Sequence, residues 1–393
     1  MNILVIGNGF DLAHGLPTRY GDFLEFVKVI RQVKNGESLK DVDWGELNPK
    51  IKEQIIDSEM DEKSPHFFGR KQCKDLLNDN IWVDYFLQCN MYQKENWIDF
   101  ESEISNVIQS IDGDMHGLSY DLKLEDEFEA LSNSFFNSKY SNSQMSYKRL
   151  RNVLDKDLNK LIRVLELYLC AFVSNIENIE ILCDIKSISI DNILSFNYTD
   201  TYKRIYDPKG LAEYDYIHGK AERKHSTDTN NMVLGIDEYL SEDRKNRDID
   251  FIAFKKYYQR IYKKTGCKYK DWIEEIRESR QEVEEKLRLK YPIQIPLKEF
   301  PEEMKHNLYI YGHSLDVTDK DILRELILND NVYTIIYYHK TYDDNGKNDK
   351  GRTDLGSKIA NLVKVIGQDE LIRRTGGSTK TIEFRLQQDM VEI

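Results

Sequence analysis

Four short stretches carry side chains suited to chemistry on a nucleotide. Gly7-Asn8-Gly9-Phe10-Asp11 directly follows the apolar run Ile3–Ile6. Glycines there permit positive φ and let backbone N–H groups approach an anion, while the start of a following helix adds a favourable dipole. The pattern stops short of a dinucleotide fingerprint: Leu12 stands where the third glycine would fall, and the lysine of a P-loop is missing. A plain tight β-to-α turn is the competing reading. The other three stretches are Ser195-Phe196-Asn197-Tyr198-Thr199-Asp200, Ile217-His218-Gly219 and Tyr311-Gly312-His313-Ser314. Each reads as a strand end, the place where open α/β sheets bind ligands, and their convergence is more specific than any one of them.

The elements that must position these residues are legible as apolar runs. Ile3–Ile6, Asn192–Phe196, Leu308–Tyr311 and Val332–Tyr338 have the length and continuity of strands buried on both faces of a mostly parallel sheet. Thr381–Leu386 alternates and is expected at a sheet edge. After Gly15-Leu16-Pro17, Thr18 is expected to cap a helix whose apolar face is Tyr20, Phe23, Leu24, Val27 and Ile30. Uneven strand spacing divides the chain into a Rossmann-like core (1–30, 186–240 and 305–393), a large helical insertion (31–185) and a smaller charged helical insertion (241–304).

Composition bounds the function. The 393 residues are 40% hydrophobic, enough for a sizeable core, and the net charge of −13 argues against a nucleic-acid binder that uses its whole surface. Five scattered cysteines show neither zinc spacing nor a disulfide framework, so no metal is expected and a reducing compartment is. The first apolar run is too short for a signal peptide. Leu161–Val173, interrupted by Arg163 and Glu166, is too short and too charged to span a bilayer. A cytoplasmic protein without membrane contact is the expectation, with self-association into a homo-oligomer left open.

One local anomaly stands against the acidic background. Between Lys255 and Lys270 lie seven basic residues and no acid, interleaved with Tyr257, Tyr258, Tyr262 and Tyr269. Lys255, Arg260, Lys263 and Lys264 are therefore candidates for contact with a nucleic-acid or phosphate-bearing trigger, with rings available for stacking. The plainer alternative is a solvated helix face neutralised by the acid-rich segment Glu274 to Glu285.

The sequence resembles the AbiH-type bacteriophage abortive-infection proteins. The residues that carry the resemblance are 7–18 (Gly-Asn-Gly-Phe-Asp-Leu-Ala-His-Gly-Leu-Pro-Thr), Asn96 to Glu101, Ser195 to Asp200, Ile217 to Gly219, Phe254 to Arg260 and Tyr311 to Leu315. The layout is also similar to that of sirtuin-like NAD-consuming domains. By that resemblance NAD is the substrate, Gly7, Asn8, Gly9, Phe10 and Asp11 contact its phosphates, and Asn197 faces the nicotinamide ribose. His218 is then the catalytic base. Gly312 and Ser314 line the adenosine side, and Ser195, Asp200 and His313 complete the cofactor-binding set. The sequence departs from the sirtuin pattern at Thr199, where an acid is expected, with Asp200 one residue on. With no zinc-binding cysteines either, the resemblance points to NAD⁺ hydrolysis rather than protein deacetylation.

That chemistry is self-consistent. Nicotinamide leaves as a neutral ring, so no strong general acid is required, and a histidine with an ordinary pKa of about 6.5 suits a modest base. The alternatives are a turn histidine at His218, a helix cap at Asn197, and structural roles for His14 and His313. Trp97, Asp99 and Glu101 read as a helix start with packing and dipole-complementing roles. A nucleotide-binding sensor or toxin component without catalysis is the first functional alternative, and a nucleic-acid-processing enzyme the second.

Overall fold

The computed structural model describes residues 1–33, 39–60, 64–88, 99–117, 147–177, 179–245, 248–288, 297–340 and 351–388. The chain separates into two compact units, Met1–Leu16 with Glu177–Gly219 and Thr265–Ile393, and Pro17–Ile176 with Lys220–Lys264.

The first unit is built on six parallel strands: β1 (Asn2–Ile6), β2 (Asn192–Ser195), β3 (Glu213–Tyr216), β4 (His306–Tyr311), β5 (Val332–Tyr338) and β6 (Ile382–Leu386). Their order is β3-β2-β1-β4-β5-β6, the doubly wound Rossmann-like arrangement. β6 lies at an edge, as its alternating pattern requires. Strand periodicity sends successive β1 side chains to opposite cores. Ile3 and Val5 join Leu194, Ile310 and Ile336 beneath Trp272, Ile273, Leu323 and Leu362. Leu4 and Ile6 join Ile193, Tyr311 and Tyr337 around Phe10, Ile185 and Tyr202. Each half of this split core is apolar enough to bury the sheet on that side.

The second unit is helical. Its longest helix, Tyr147–Ala171, brings Tyr168 to Phe23 and Phe26 from the helix Tyr20–Gln32. Phe86 stacks on Phe100 with ring centroids 4.2 Å apart. The helix Tyr20–Gln32 begins one residue later than a Thr18 cap would set it, and Asp22 accepts from the Arg19 N–H at 3.0 Å. No helix among the described residues is long and apolar enough to cross a membrane.

The unit boundaries differ from the sequence expectation at four places. Residues 17–30, expected in the sheet core, lie in the second unit, where Phe23 and Phe26 pack on Tyr168, and residues 177–185, expected in the helical insertion, lie with the sheet. Residues 220–240 belong with the helices because a buried cluster holds them there. Glu166, fully buried, accepts from the Glu222 N–H at 3.0 Å, lies 2.6 Å from His225 Nδ1, and also engages Asn230. Arg163 pairs with Glu166 and donates to the carbonyls of Glu222 and Arg223 at 3.0 Å. Conversely, the helix Tyr269–Leu287 belongs with the sheet: Tyr269, Trp272, Ile273 and Ile276 lie on one stripe buried in its core.

Candidate active site

Strand register brings the predicted residues to one place. Ile6 lies opposite both Ser195 and Tyr311, and Ser195 lies opposite Tyr216. The residues just beyond (Gly7, Asn197, His218 and Gly312) therefore emerge together at the carboxyl edge of four adjacent strands. Between β1 and β4 the strand order reverses, which is where doubly wound sheets open a ligand crevice.

At that point the two glycine turns interlock. The Gly7 N–H donates to Tyr311 O at 3.2 Å and the Gly9 N–H to Gly312 O at 2.8 Å. A Cβ on Gly9 would stand 2.8 Å from Gly312 Cα. One on Gly312, whose φ is +67°, would stand 2.0 Å from Phe10 N. The glycines thus serve the approach of two backbones. This corrects the simple phosphate-loop expectation, since two of its donors are already bonded within the protein. Asn8 remains exposed at the tip.

Several predicted contacts take structural places instead. Phe10 is fully buried, with Tyr311 packed edge-on at 5.9 Å, so its ring belongs to the core rather than to a ligand. Ser195, also fully buried, donates to Asn197 O at 3.0 Å and accepts from the Asn197 N–H at 3.1 Å, shaping the turn after β2. Asn197 donates from Nδ2 to Gly7 O at 2.9 Å, bracing the glycine turn. Asp200 stands at the N-cap of the short helix Thr201–Ile205 without a side-chain cap bond. Ser314 is exposed, and its carbonyl accepts from Asn361 at 3.0 Å.

Asp11 is buried beneath the turn. Its Oδ2 accepts from Thr199 Oγ1 at 2.6 Å, so Thr199 supports the acid at Asp11 rather than replacing one after Asn197. Burial pushes the Asp11 carboxyl from 3.8 up to about 6, against the opposing hydrogen bonds of Thr199 and Thr201. His14 lies 2.7 Å from Phe10 O and 2.8 Å from the Tyr206 hydroxyl, and burial lowers its pKa to about 4. It is a neutral structural histidine.

The groups with acid–base character are His218, His313 and Asp319, the last missed in the sequence. His313 Nε2 lies 3.3 Å from Asp319 Oδ2, and His218 Nε2 lies 3.9 Å from Asp319 Oδ1. The Phe196 ring meets both imidazoles edge-on, 4.4 Å from His313 and 5.7 Å from His218. Lys358 donates to His313 O at 2.8 Å and fixes the turn from behind, and burial lowers its pKa. The only signal for Asp319 was its position six residues after His313, which spacing alone does not distinguish from a helix cap.

The basic stretch is largely spent inside the second unit. Lys255 is 1% exposed and reaches Glu238 at 2.8 Å. Lys263 donates to Met232 O, and burial lowers its pKa to about 8. Lys256 pairs with Glu101 at 2.6 Å. The carboxylates paired with the run are Glu238 for Lys255, Glu101 for Lys256, Glu213 for Lys268 and Glu325 for Lys270. The helix Lys256–Lys263 is turned apolar side out, with Tyr257, Ile261 and Tyr262 exposed. Asp99 caps the helix Phe100–Gly117 by accepting from the Glu101 N–H at 3.0 Å, while Trp97 lies outside the described residues.

A family model described as bacteriophage abortive infection AbiH matches residues 3–339. No curated protein and no solved structure gives a match.

Proposed function

Because the chain belongs to the bacteriophage abortive infection AbiH family, we propose that it defends against phage by hydrolysing the nicotinamide glycosidic bond of NAD⁺ when infection triggers it. The observation that supports a dinucleotide is the meeting of the Gly7–Gly9 turn with Gly312 at the reversal point of a β3-β2-β1-β4-β5-β6 sheet. His218 is the general base that takes a proton from the attacking water. Such a base contributes roughly 10²–10⁴-fold in rate. Asn197 holds the glycine turn through Gly7 O and thereby shapes the ribose side of the crevice. Hydrolysis depletes the cytoplasmic NAD⁺ of the infected cell. A trigger would meet the outward face of the helix Lys256–Lys263 and the exposed Lys264, since Lys255 and Lys263 are turned inward.

The test is incubation of purified protein with NAD⁺, with and without extract from phage-infected cells, and chromatography for nicotinamide and ADP-ribose. Product that falls about 100-fold or more in His218→Ala, with NAD⁺ binding retained, is expected. NAD⁺ binding with no product in any condition would overturn hydrolysis and leave a nucleotide-binding sensor. Undiminished product from His218→Ala would overturn the role of that residue.

A further inference from the structure

Asp319 occupies a position with an ordinary task and does something else. It is the N-cap of the helix Lys320–Ile327, where an aspartate usually accepts from a backbone N–H of the first turn. Its side chain makes no such cap bond. The carboxylate faces two imidazoles instead, with Oδ2 3.3 Å from His313 Nε2 and Oδ1 3.9 Å from His218 Nε2.

The chain itself assigns the hydrogen on one of those rings. The Leu315 N–H donates to His313 Nδ1 at 2.9 Å, so Nδ1 holds the lone pair and Nε2 carries the hydrogen, directed at Asp319. Leu315 is held at φ +60°, a left-handed conformation that a leucine adopts only when its surroundings demand it, and its side chain is fully buried. With one carboxylate oxygen engaged by His313, the other is presented to His218.

We propose that Asp319 is the positioning residue of the histidine base, orienting His218 with its Nε2–H toward Oδ1 so that Nδ1, an atom shielded from bulk solvent, is the nitrogen left to accept a proton from a water bound in the crevice with the substrate. The carboxylate also stabilises the imidazolium formed when Nδ1 takes a proton from water. The water oxygen bonds to the anomeric carbon as the C–N bond breaks, and that electron pair stays on the nicotinamide nitrogen. His218 then releases its proton to solvent, so NAD⁺ and water give nicotinamide, ADP-ribose and a proton. The reaction served rests on the function proposed above; the orientation of the imidazoles does not.

Asp319→Asn tests the assignment, because asparagine is an equally good N-cap and keeps the helix start. Long-range ¹H–¹⁵N spectra of the imidazoles show which nitrogen carries hydrogen in each neutral ring. In the wild-type protein both rings should hold it on Nε2. In Asp319→Asn, His313 should keep that form, still held by Leu315, while His218 becomes a mixture of tautomers. An unchanged His218 overturns the proposal, whether or not the protein hydrolyses NAD⁺. In an active wild type, kcat should fall roughly 10²-fold with KM within about threefold, and Asp319→Glu should recover part of the loss. An unchanged kcat also overturns it. Inactivity of the wild type with the expected tautomers would defeat the hydrolytic reading alone.

Discussion

Replacing Asp11 by asparagine isolates the cost of keeping a carboxylate under the glycine turn. Asp11 is 1% exposed, Oδ2 is held by Thr199, and Oδ1 is buried with no hydrogen-bond partner among the described residues. Burial raises its pKa from 3.8 to about 6. A shift of about two units corresponds to about 3 kcal/mol. Because the folded value is the higher one, the native state binds a proton that the unfolded chain has lost. Its stabilising contribution is complete below the unfolded pKa and disappears as pH rises through about 6. About 2 kcal/mol of the loss falls between about pH 4.5 and about pH 7.5. Asparagine preserves the Thr199 bond and has no proton to lose. Urea unfolding of both proteins across that range should show the wild-type stability falling relative to the variant by about 2 kcal/mol. A constant difference would refute the reasoning. At neutral pH this carboxylate opposes folding, which is the kind of cost found where a functional site overrides local stability.

Gly312→Ala should be among the most damaging single-atom additions in the first unit. Its methyl would meet Phe10 N at 2.0 Å in a left-handed backbone, and the bond from the Gly9 N–H would be lost as the turns separate. The expected cost is about 3 kcal/mol or more, a drop in Tm of roughly 6 °C, read by calorimetry. Lys255→Met should cost about 2–3 kcal/mol in urea unfolding by stranding Glu238, discounted because Glu238 is one-fifth exposed. If Lys255 served a nucleic-acid trigger instead, the variant would keep its stability and lose the response.

Much of the fold could be read before the structure because its strands are continuous apolar runs. β3 was the exception: Glu213-Tyr214-Asp215-Tyr216 is polar since it is an edge strand, and only its end at Ile217-His218-Gly219 was visible. The helix Tyr269–Leu287 was hidden differently, its buried stripe of Tyr269, Trp272, Ile273 and Ile276 set among many charges. Within the site, sequence located the four strand ends but not the division of labour among them. Ser195 and Phe10 have types that suit a ligand, yet register buries both. Asp319 acts through distance in space to two histidines, which no local spacing encodes. The basic run misled for a related reason: Lys255 and Lys263 find buried acceptors that lie far along the chain.

The central claim is that a dinucleotide is held where the turns after β1 and β4 meet. Its most direct test is a crystal structure of His218→Ala soaked with NAD⁺. The expected result is the pyrophosphate beside Asn8 and Gly312, with the nicotinamide ribose reaching toward position 218. NAD⁺ bound elsewhere, or no binding at saturating concentration, would contradict the account.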